Sequence, residues 1–284
     1  MQGGLMSEGL RKAWVNRTAV VGSIILVIMV LSAALAPWIV KTDPAEIDLA
    51  SRLLPPAWSP NGSAEHLLGT DHLGRDVLSR ILFGGRISLF VGLVTTILAL
   101  GLGTILGMLA GYFKGRLEII MRLADVQQSF PFIALALVLV AAVGPGVKTT
   151  VLVLGIGGWV TFARVVQGQV LSEREREYIE AAMSLGARSP RILIHHILPN
   201  IASPIIVLAS FAFAWMIVVE ASLSFLGFGV QPPQSTWGLM LSESRDYMQI
   251  AWWLPTFPGL AIMMTVLGAN LLGDWLRDVL DPRL

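Results

Sequence analysis

A single carboxylate lies deep inside an apolar stretch of the sequence. Glu220 is the only charged residue between about Ile201 and Gly229. An ionisable side chain in hydrocarbon is costly, so it is by default a candidate for function. A helix beginning near Ile205 would carry Glu220 about 22 Å from that end, in the outer half of a membrane. Three roles are open: Glu220 could gate a pathway, contact the amino groups of a substrate, or hydrogen-bond a neighbouring helix.

Other residues that could do chemistry form no recognisable centre. A phosphate-binding loop needs four residues between its glycines and a glycine directly before the lysine, but Val147 precedes Lys148 in the segment 144–149. The adjacent His195 and His196 would point about 100° apart on a helix, so they cannot share a metal. The chain has no cysteine. We predict no catalytic residue, no metal site and no cofactor in this chain.

The composition identifies the class of protein. Of 284 residues, 55% are hydrophobic and only 14% are charged, and the mean hydropathy is +0.71. Soluble domains carry about a quarter charged residues, so this chain has too little charge to solvate its surface. The net charge of +1 comes from 20 basic and 19 acidic residues. These values exclude a soluble enzyme and a nucleic-acid-binding protein, and they predict an all-α, polytopic membrane protein.

Charge-free stretches of membrane-spanning length organise the chain, because a bilayer core requires about 20 apolar helical residues. The fourth stretch is short, and Arg164 interrupts it. The six predicted spans cover residues 18–40, 87–113, 126–147, 149–163, about 201–229, and part of 247–273, the last from about 255 onward.

The distribution of lysine and arginine predicts the orientation. Basic residues concentrate in alternate segments if the N-terminus is cytoplasmic, and long loops translocate largely regardless of charge. We therefore predict that both termini are cytoplasmic. The predicted divisions are a cytoplasmic N-terminus (1–17), a first span (18–40), an extracytoplasmic segment (41–86), a core of five helices (87–277) with a loop at 173–199, and a cytoplasmic C-terminus (278–284).

The 41–86 segment differs in composition from the rest, since it is rich in proline and acidic residues. Its end, residues 74–85, predicts an amphipathic helix that lies along the outer interface and does not cross the membrane. One face would carry Val77, Leu78, Ile81 and Leu82, and the other Arg75, Asp76, Ser79 and Arg80.

Three glycines recur at four-residue spacing in the second span. Gly103, Gly107 and Gly111 remove side-chain bulk from one helix face, which allows close helix packing. We favour a tight contact within the subunit or with a partner subunit over a gate surface.

The 173–199 loop combines a charged helix with small residues. Ala181, Ala182 and Gly186 lie on one flank of this helix, and a second short helix is predicted to end at Pro199. Small side chains let a partner backbone approach closely. The loop is therefore predicted to be a docking element.

This loop resembles the EAA loop of binding-protein-dependent ABC importer permeases. His196 stands where that family often has isoleucine. The matching residues are Glu180, Ala181, Ala182, Gly186, Leu198 and Pro199. Further stretches resemble the second permease subunit of dipeptide, oligopeptide and nickel importers: 68–76, 174–177, 196–200, 220–227 and 278–283.

The resemblance implies a type I ABC importer permease in a bacterial inner membrane. It implies a second permease subunit as heterodimer partner, two ATPase subunits that dock on the loop and bind ATP and Mg, and an extracytoplasmic binding protein. Peptides are the expected substrates, with nickel, glutathione or another small solute as alternatives, and alternating access is the expected mechanism. Because Glu220 falls in a family-wide stretch, a structural role is favoured for it. Two rival classes are an intramembrane enzyme, for which Glu220 is the only polar candidate within a span, and a secondary carrier or channel.

Overall fold

The computed structural model describes residues 17–280, which are mostly helical and contain no strand. The helices are α1 Arg17–Ala34, α2 Ala36–Ile39, α3 Val77–Phe113, α4 Glu118–Gln128, α5 Phe132–Val143, α6 Val147–Gly157, α7 Trp159–Arg174, α8 Glu177–Ser184, α9 Ser189–Arg191, α10 Leu198–Phe225, α11 Trp237–Glu243 and α12 Trp253–Leu280.

Within residues 17–280, five helical stretches are long and apolar enough to cross a membrane, and a bent helix pair makes up to six. They confirm the all-α, multi-span prediction. The predicted termini fall mostly outside the description, because residues 1–16 and 281–284 are not described. The five stretches are Arg17–Ala34, Val77–Phe113, Val147–Arg174, Ser189–Phe225 and Trp253–Leu280.

The third predicted span, 126–147, is not one straight helix. It is divided between α4 and α5, which meet at an angle of 90°. Pro131 is the N-cap of α5, and the residue before a proline is disfavoured in the helical conformation. The charge-free run continues through this break, so charge spacing alone did not reveal it.

The predicted interfacial helix at 74–85 is wrong as a separate element. Residues Val77–Phe113 form one continuous helix of 37 residues, α3. Its supposed polar face is buried, since Ser79 is 0% and Arg80 is 3% exposed. These side chains have buried polar partners, described below, and therefore do not need water.

The prediction that a short helix ends at Pro199 is also wrong. Helical structure continues from Ser189 to Phe225, with a π-helical turn at Ile192–Ile197 directly before α10. In that turn the Leu198 N–H bonds to the carbonyl of Leu193. Pro199 then occupies the first turn of α10, where its missing N–H is tolerated.

Close packing of α3 against α7 forms the centre of the bundle. A Cβ atom on Gly103 would lie 2.4 Å from the Phe162 Cβ, and one on Gly107 would lie 2.5 Å from the Ala163 carbonyl oxygen. A Cβ on Gly111 would lie 2.9 Å from the Val170 Cβ. The three glycines therefore serve a helix contact within this chain. Around this pair, α10 packs on α3, and α12 packs on α1 and α10.

We expect Gly107→Ala to destabilise the protein by about 1–3 kcal/mol, the usual cost of overpacking, because the added methyl group meets backbone of α7. Gly101→Ala is the matched control, since a Cβ there meets nothing within 4 Å. Thermal unfolding in detergent micelles measures both. Equal melting temperatures for the two variants would contradict the packing argument.

Candidate functional site

Several buried side chains anchor the 173–199 loop to the bundle, among them Ile179 and Ile197. Ile179 of α8 is 0% exposed. It packs in a core cluster with Tyr112 of α3, Val170 of α7, and Ile197 and Ile201 around the start of α10. The loop is therefore in direct contact with three long helices.

A hydrogen-bond relay also crosses the loop. The Tyr178 hydroxyl donates to Glu173 Oε1 at 2.5 Å and accepts from Asn200 Nδ2 at 2.9 Å. Partial burial and the neighbouring Glu173 raise the pKa of Tyr178 to about 12, so the phenol keeps its proton at neutral pH. The relay joins the end of α7, the start of α8 and the start of α10.

The turn that ends α8 explains why residue 186 is a glycine. Its φ is +81°, and its N–H donates to the carbonyl of Met183 while the Ala187 N–H donates to that of Ala182. This pair of bonds is the Schellman motif, which places a left-handed residue directly after the helix. A Cβ on Gly186 would meet nothing within 4 Å. The left-handed backbone conformation therefore explains why residue 186 is a glycine. Close packing within this chain does not explain it, because a side chain would have room.

The exposed surface of the loop is formed by α8 and the turn that follows it. Glu180 and Ala181 are exposed, and Ala182 is partly buried. Leu185 is 89% exposed and adds an apolar side chain to this surface, although it is not among the predicted docking residues. Its position directly before Gly186 in a helix-terminating turn is the signal that could have identified it.

The predicted residues Leu198 and Pro199 lie apart from this surface. Leu198 packs on the core cluster around Ile179, and Pro199 is exposed at the start of α10. The two halves of the motif are thus connected through the interior. One half presents a surface, and the other begins a long helix.

Glu220 joins three helices. It is 0% exposed, and it accepts hydrogen bonds from Ser224 Oγ at 2.8 Å and from Ser88 Oγ of α3 at 3.2 Å. Ser88 Oγ in turn accepts from the Trp237 N–H at the start of α11 at 3.3 Å. In this structure the carboxylate therefore contacts neighbouring helices and does not face a water-filled pathway.

A buried ion cluster lies at the opposite end of α3 from the 173–199 loop. Asp71 Oδ2 lies 2.7 Å from Arg75 Nε and 2.5 Å from Arg80 Nη1. Glu243 Oε2 of α11 lies 3.0 Å from Arg75 Nη2 and 2.7 Å from Arg80 Nη2. Two carboxylates and two guanidinium groups thus neutralise one another and attach α11 to the segment 41–76. No local sequence pattern indicates Glu243, which is 168 residues from Arg75.

The surroundings set the charges of this cluster. Burial opposes ionisation of Asp71 most strongly, but Arg80, Arg75 and two backbone N–H donors together hold its pKa below the usual range. Burial lowers the pKa of His72, whose ring stacks on Tyr247 at 5.3 Å between centroids. At neutral pH Asp71 is therefore charged and His72 is neutral.

This geometry defines a class of protein: a multi-span helical membrane protein with one protruding helix–turn element. Comparison with known families identifies it further. Residues 103–284 match the family described as binding-protein-dependent transport system inner membrane component. Residues 4–56 match the N-terminal transmembrane domain of oligopeptide transport permease C.

Curated relatives cover nearly the whole chain. It is 47% identical to the dipeptide transport system permease protein DppC of Escherichia coli (strain K12), over 95% of this chain and 90% of that protein. It is 42% identical to the di/tripeptide transport system permease protein DppC of Pseudomonas aeruginosa (strain UCBPP-PA14), over 95% of this chain and 89% of that protein.

A solved structure shows the same fold. The MetNI methionine ABC transporter in inward-facing conformations contains a chain that matches with a TM-score of 0.57 and 19% identity, over 69% of this chain and 94% of that chain. The chain studied here belongs to the family of binding-protein-dependent transport system inner membrane components. It is a membrane permease, and this membership implies ATPase and substrate-binding partners.

We expect Gly186→Ala to loosen the 173–199 loop, because a left-handed conformation costs a non-glycine residue about 1–2 kcal/mol. Gly186→Asn should be milder, since asparagine tolerates that conformation better. Trypsin cleavage after the exposed Arg188 measures the effect, and Gly168→Ala, with open space around its Cβ, is the control. If bulk rather than conformation matters, asparagine will be worse than alanine.

We expect Asp71→Asn to destabilise the protein at pH 7 by about 3–5 kcal/mol, because it leaves two buried guanidinium groups undercompensated. The folded pKa of Asp71 is lowered, so its stabilisation is present above its ordinary pKa and is lost as pH falls through the folded value. The difference between wild type and variant should therefore shrink in acid. Thermal unfolding at pH 7 and pH 3 tests this, with the exposed Asp246→Asn as control; a difference that does not depend on pH would contradict it.

Proposed function

We propose that this chain is a permease subunit of an ATP-driven importer that moves di- and oligopeptides into the cell. The single observation that carries the proposal is the 173–199 loop, which presents an exposed helix end while it is anchored in three long helices. The relatives named for dipeptide and di/tripeptide transport support peptides as the substrate class.

The exposed part of the loop is the docking surface for a partner ATPase in this proposal. Leu185 supplies an apolar anchor, and Glu180 and Ala181 flank it. A force on α8 reaches the bundle through Ile179 and through the Tyr178 relay. ATP hydrolysis belongs to the partner subunits, so this chain needs neither ATP nor Mg and has no catalytic residue of its own.

The remaining assignments complete the proposed importer. Both termini and the 173–199 loop lie in the cytoplasm, and the segment 41–76 faces the outside of a bacterial inner membrane. A second, different permease subunit pairs with this chain, and two ATPase subunits dock on the pair. A binding protein delivers peptide to the outer side, where the ion cluster around Asp71 holds the segment in shape.

We expect Leu185→Asp to abolish or strongly reduce co-purification of the ATPase subunits, because it places a charge at the apolar centre of the docking surface. Ile47→Asp is the matched control: Ile47 is also an exposed aliphatic residue, 58% exposed, but it lies in the segment 41–76. Affinity purification of the permease from membranes, with the ATPase quantified, gives the result.

Uptake of a labelled dipeptide into proteoliposomes that contain the whole importer provides the functional measurement. Uptake should require ATP on the side of the vesicle membrane that corresponds to the cytoplasm. It should fail with Leu185→Asp but not with Ile47→Asp. Uptake that persists without ATPase subunits would instead indicate a carrier or a channel. Uptake of nickel or glutathione in place of peptides would refute the substrate assignment while leaving the importer assignment intact.

A further inference from the structure

A cavity of about 600 Å³ opens beside the break between α4 and α5. Its walls come from this break, from the junction of α6 and α7, and from the middle of α10. Its volume falls within the range of about 300–1,000 Å³ that is usual for small-molecule sites.

The cavity lies at mid-depth of the bundle. A Cβ on Gly158, in its wall, would lie 3.0 Å from the Cβ of Ala99, and a Cβ on Gly103 would lie 2.5 Å from the Trp159 carbonyl oxygen. Both α3 residues belong to the apolar stretch 87–113. The wall formed by α10 spans residues 208–216, which are central in Leu198–Phe225.

Irregular backbone at this depth needs polar surroundings. Ser129, Phe130 and Pro131 are exposed at the break. The Ser129 and Phe130 N–H groups cap the end of α4 by donating to the carbonyls of Asp125 and Gln127, whereas the first N–H groups of α5 have no helical partner. Non-helical backbone inside a membrane is tolerated only where protein buries it or where it lines a water-filled cavity. Phe130 borders the cavity, so the break and the cavity form one feature.

The wall of the break is fixed by a doubly bonded amide. Gln127 Nε2 donates to the Gly157 carbonyl at 2.6 Å, and Gln127 Oε1 accepts from Trp159 Nε1 at 2.9 Å. Both polar ends of this side chain are thereby occupied. The Gln127 side chain holds the break against the α6–α7 junction. The other side chains that line the cavity remain available to bind a ligand.

Two lining side chains have unused hydrogen-bonding capacity. Gln128 and Thr161 line the cavity and make no side-chain hydrogen bond to another residue among 17–280. Among the described residues no charged side chain lines the cavity, and aromatic rings, including Phe130 and Trp215, form much of the remaining wall. A lipid acyl chain in this place would leave the amide and the hydroxyl unsatisfied, which is costly.

We propose that this cavity is a peptide contact site in the translocation pathway, with Gln128 and Thr161 bonding to the peptide main chain and Trp215 contacting its side chains. The inference rests on the proposed function and adds the residues that touch the substrate. An amide and a hydroxyl recognise what all peptides share, and a neutral aromatic wall accepts many side chains. Such a site favours broad peptide specificity and weak binding, which translocation of the peptide requires.

The absence of cysteine from the sequence makes a direct test possible. Thr161→Cys introduces a thiol into the cavity, and Gln169→Cys, exposed on the same helix α7 but outside the cavity, is the matched control. The complete importer, with its binding protein and ATPase subunits in lipid nanodiscs, is treated with a charged, water-soluble methanethiosulfonate reagent. Labelling of Thr161→Cys should occur and should slow severalfold with a saturating dipeptide, whereas labelling of Gln169→Cys should not change.

A second variant tests recognition independently of labelling. Gln128→Ala should raise the KM for dipeptide uptake by about tenfold, the equivalent of one lost hydrogen bond of about 1.4 kcal/mol. Gln128→Asn, which keeps the amide, should recover part of the loss.

The two proposals fail separately. If the wild-type importer takes up no dipeptide, the proposed function is refuted. If it takes up dipeptide but Thr161→Cys is inaccessible to the reagent, or is labelled at the same rate with and without peptide, the cavity is a lipid-filled or subunit-covered surface and the inference is overturned. An unchanged KM in Gln128→Ala would likewise remove Gln128 from the site.

Discussion

The close contact between α3 and α7 is the interaction on which the other features depend. Apolar burial gives helices little reason to associate in lipid, so packing of small residues and interhelical hydrogen bonds must hold a bundle together. The glycines from Gly103 to Gly111 bring the backbone of α3 against α7 over two turns. Because α7 runs from the cavity at one end to the 173–199 loop at the other, this contact fixes both features relative to α3.

Buried polar groups position the elements that the packing of α3 against α7 does not hold in place. The helix α11 has only seven residues, and polar contacts at both of its ends add to the burial of Trp237 and Met240. Glu243 at its end is paired with two arginines, and Trp237 at its start donates to Ser88, which bonds to Glu220. A buried charge is tolerated when it is paired and hydrogen-bonded, and Glu243 meets that condition, whereas hydrogen bonds alone hold the Trp237 end of α11.

The sequence predicts most of the spans because the spacing of charges reflects the thickness of a membrane. It does not predict the break at Pro131, since irregular backbone leaves no trace in charge spacing. It misplaces Arg80 on a solvent-facing side, because its partner Glu243 is far away in the chain and no local pattern links the two. The sequence shows Gly186 as one of three small residues on a helix flank and suggests that its small size matters. The positive φ that explains this glycine is a property of the folded turn.

The cavity and the 173–199 loop are mechanically connected by two helices. The helix α7 is about 24 Å long at 1.5 Å per residue, and it places Thr161 near one end and Glu173 near the other. Tyr178 links Glu173 to Asn200 at the start of α10, and the middle of α10 forms the facing wall of the cavity. Packed interiors change between discrete arrangements rather than deform continuously. A displacement applied at α8 would therefore reach two walls of the cavity at once, while the glycine contact keeps α7 packed against α3.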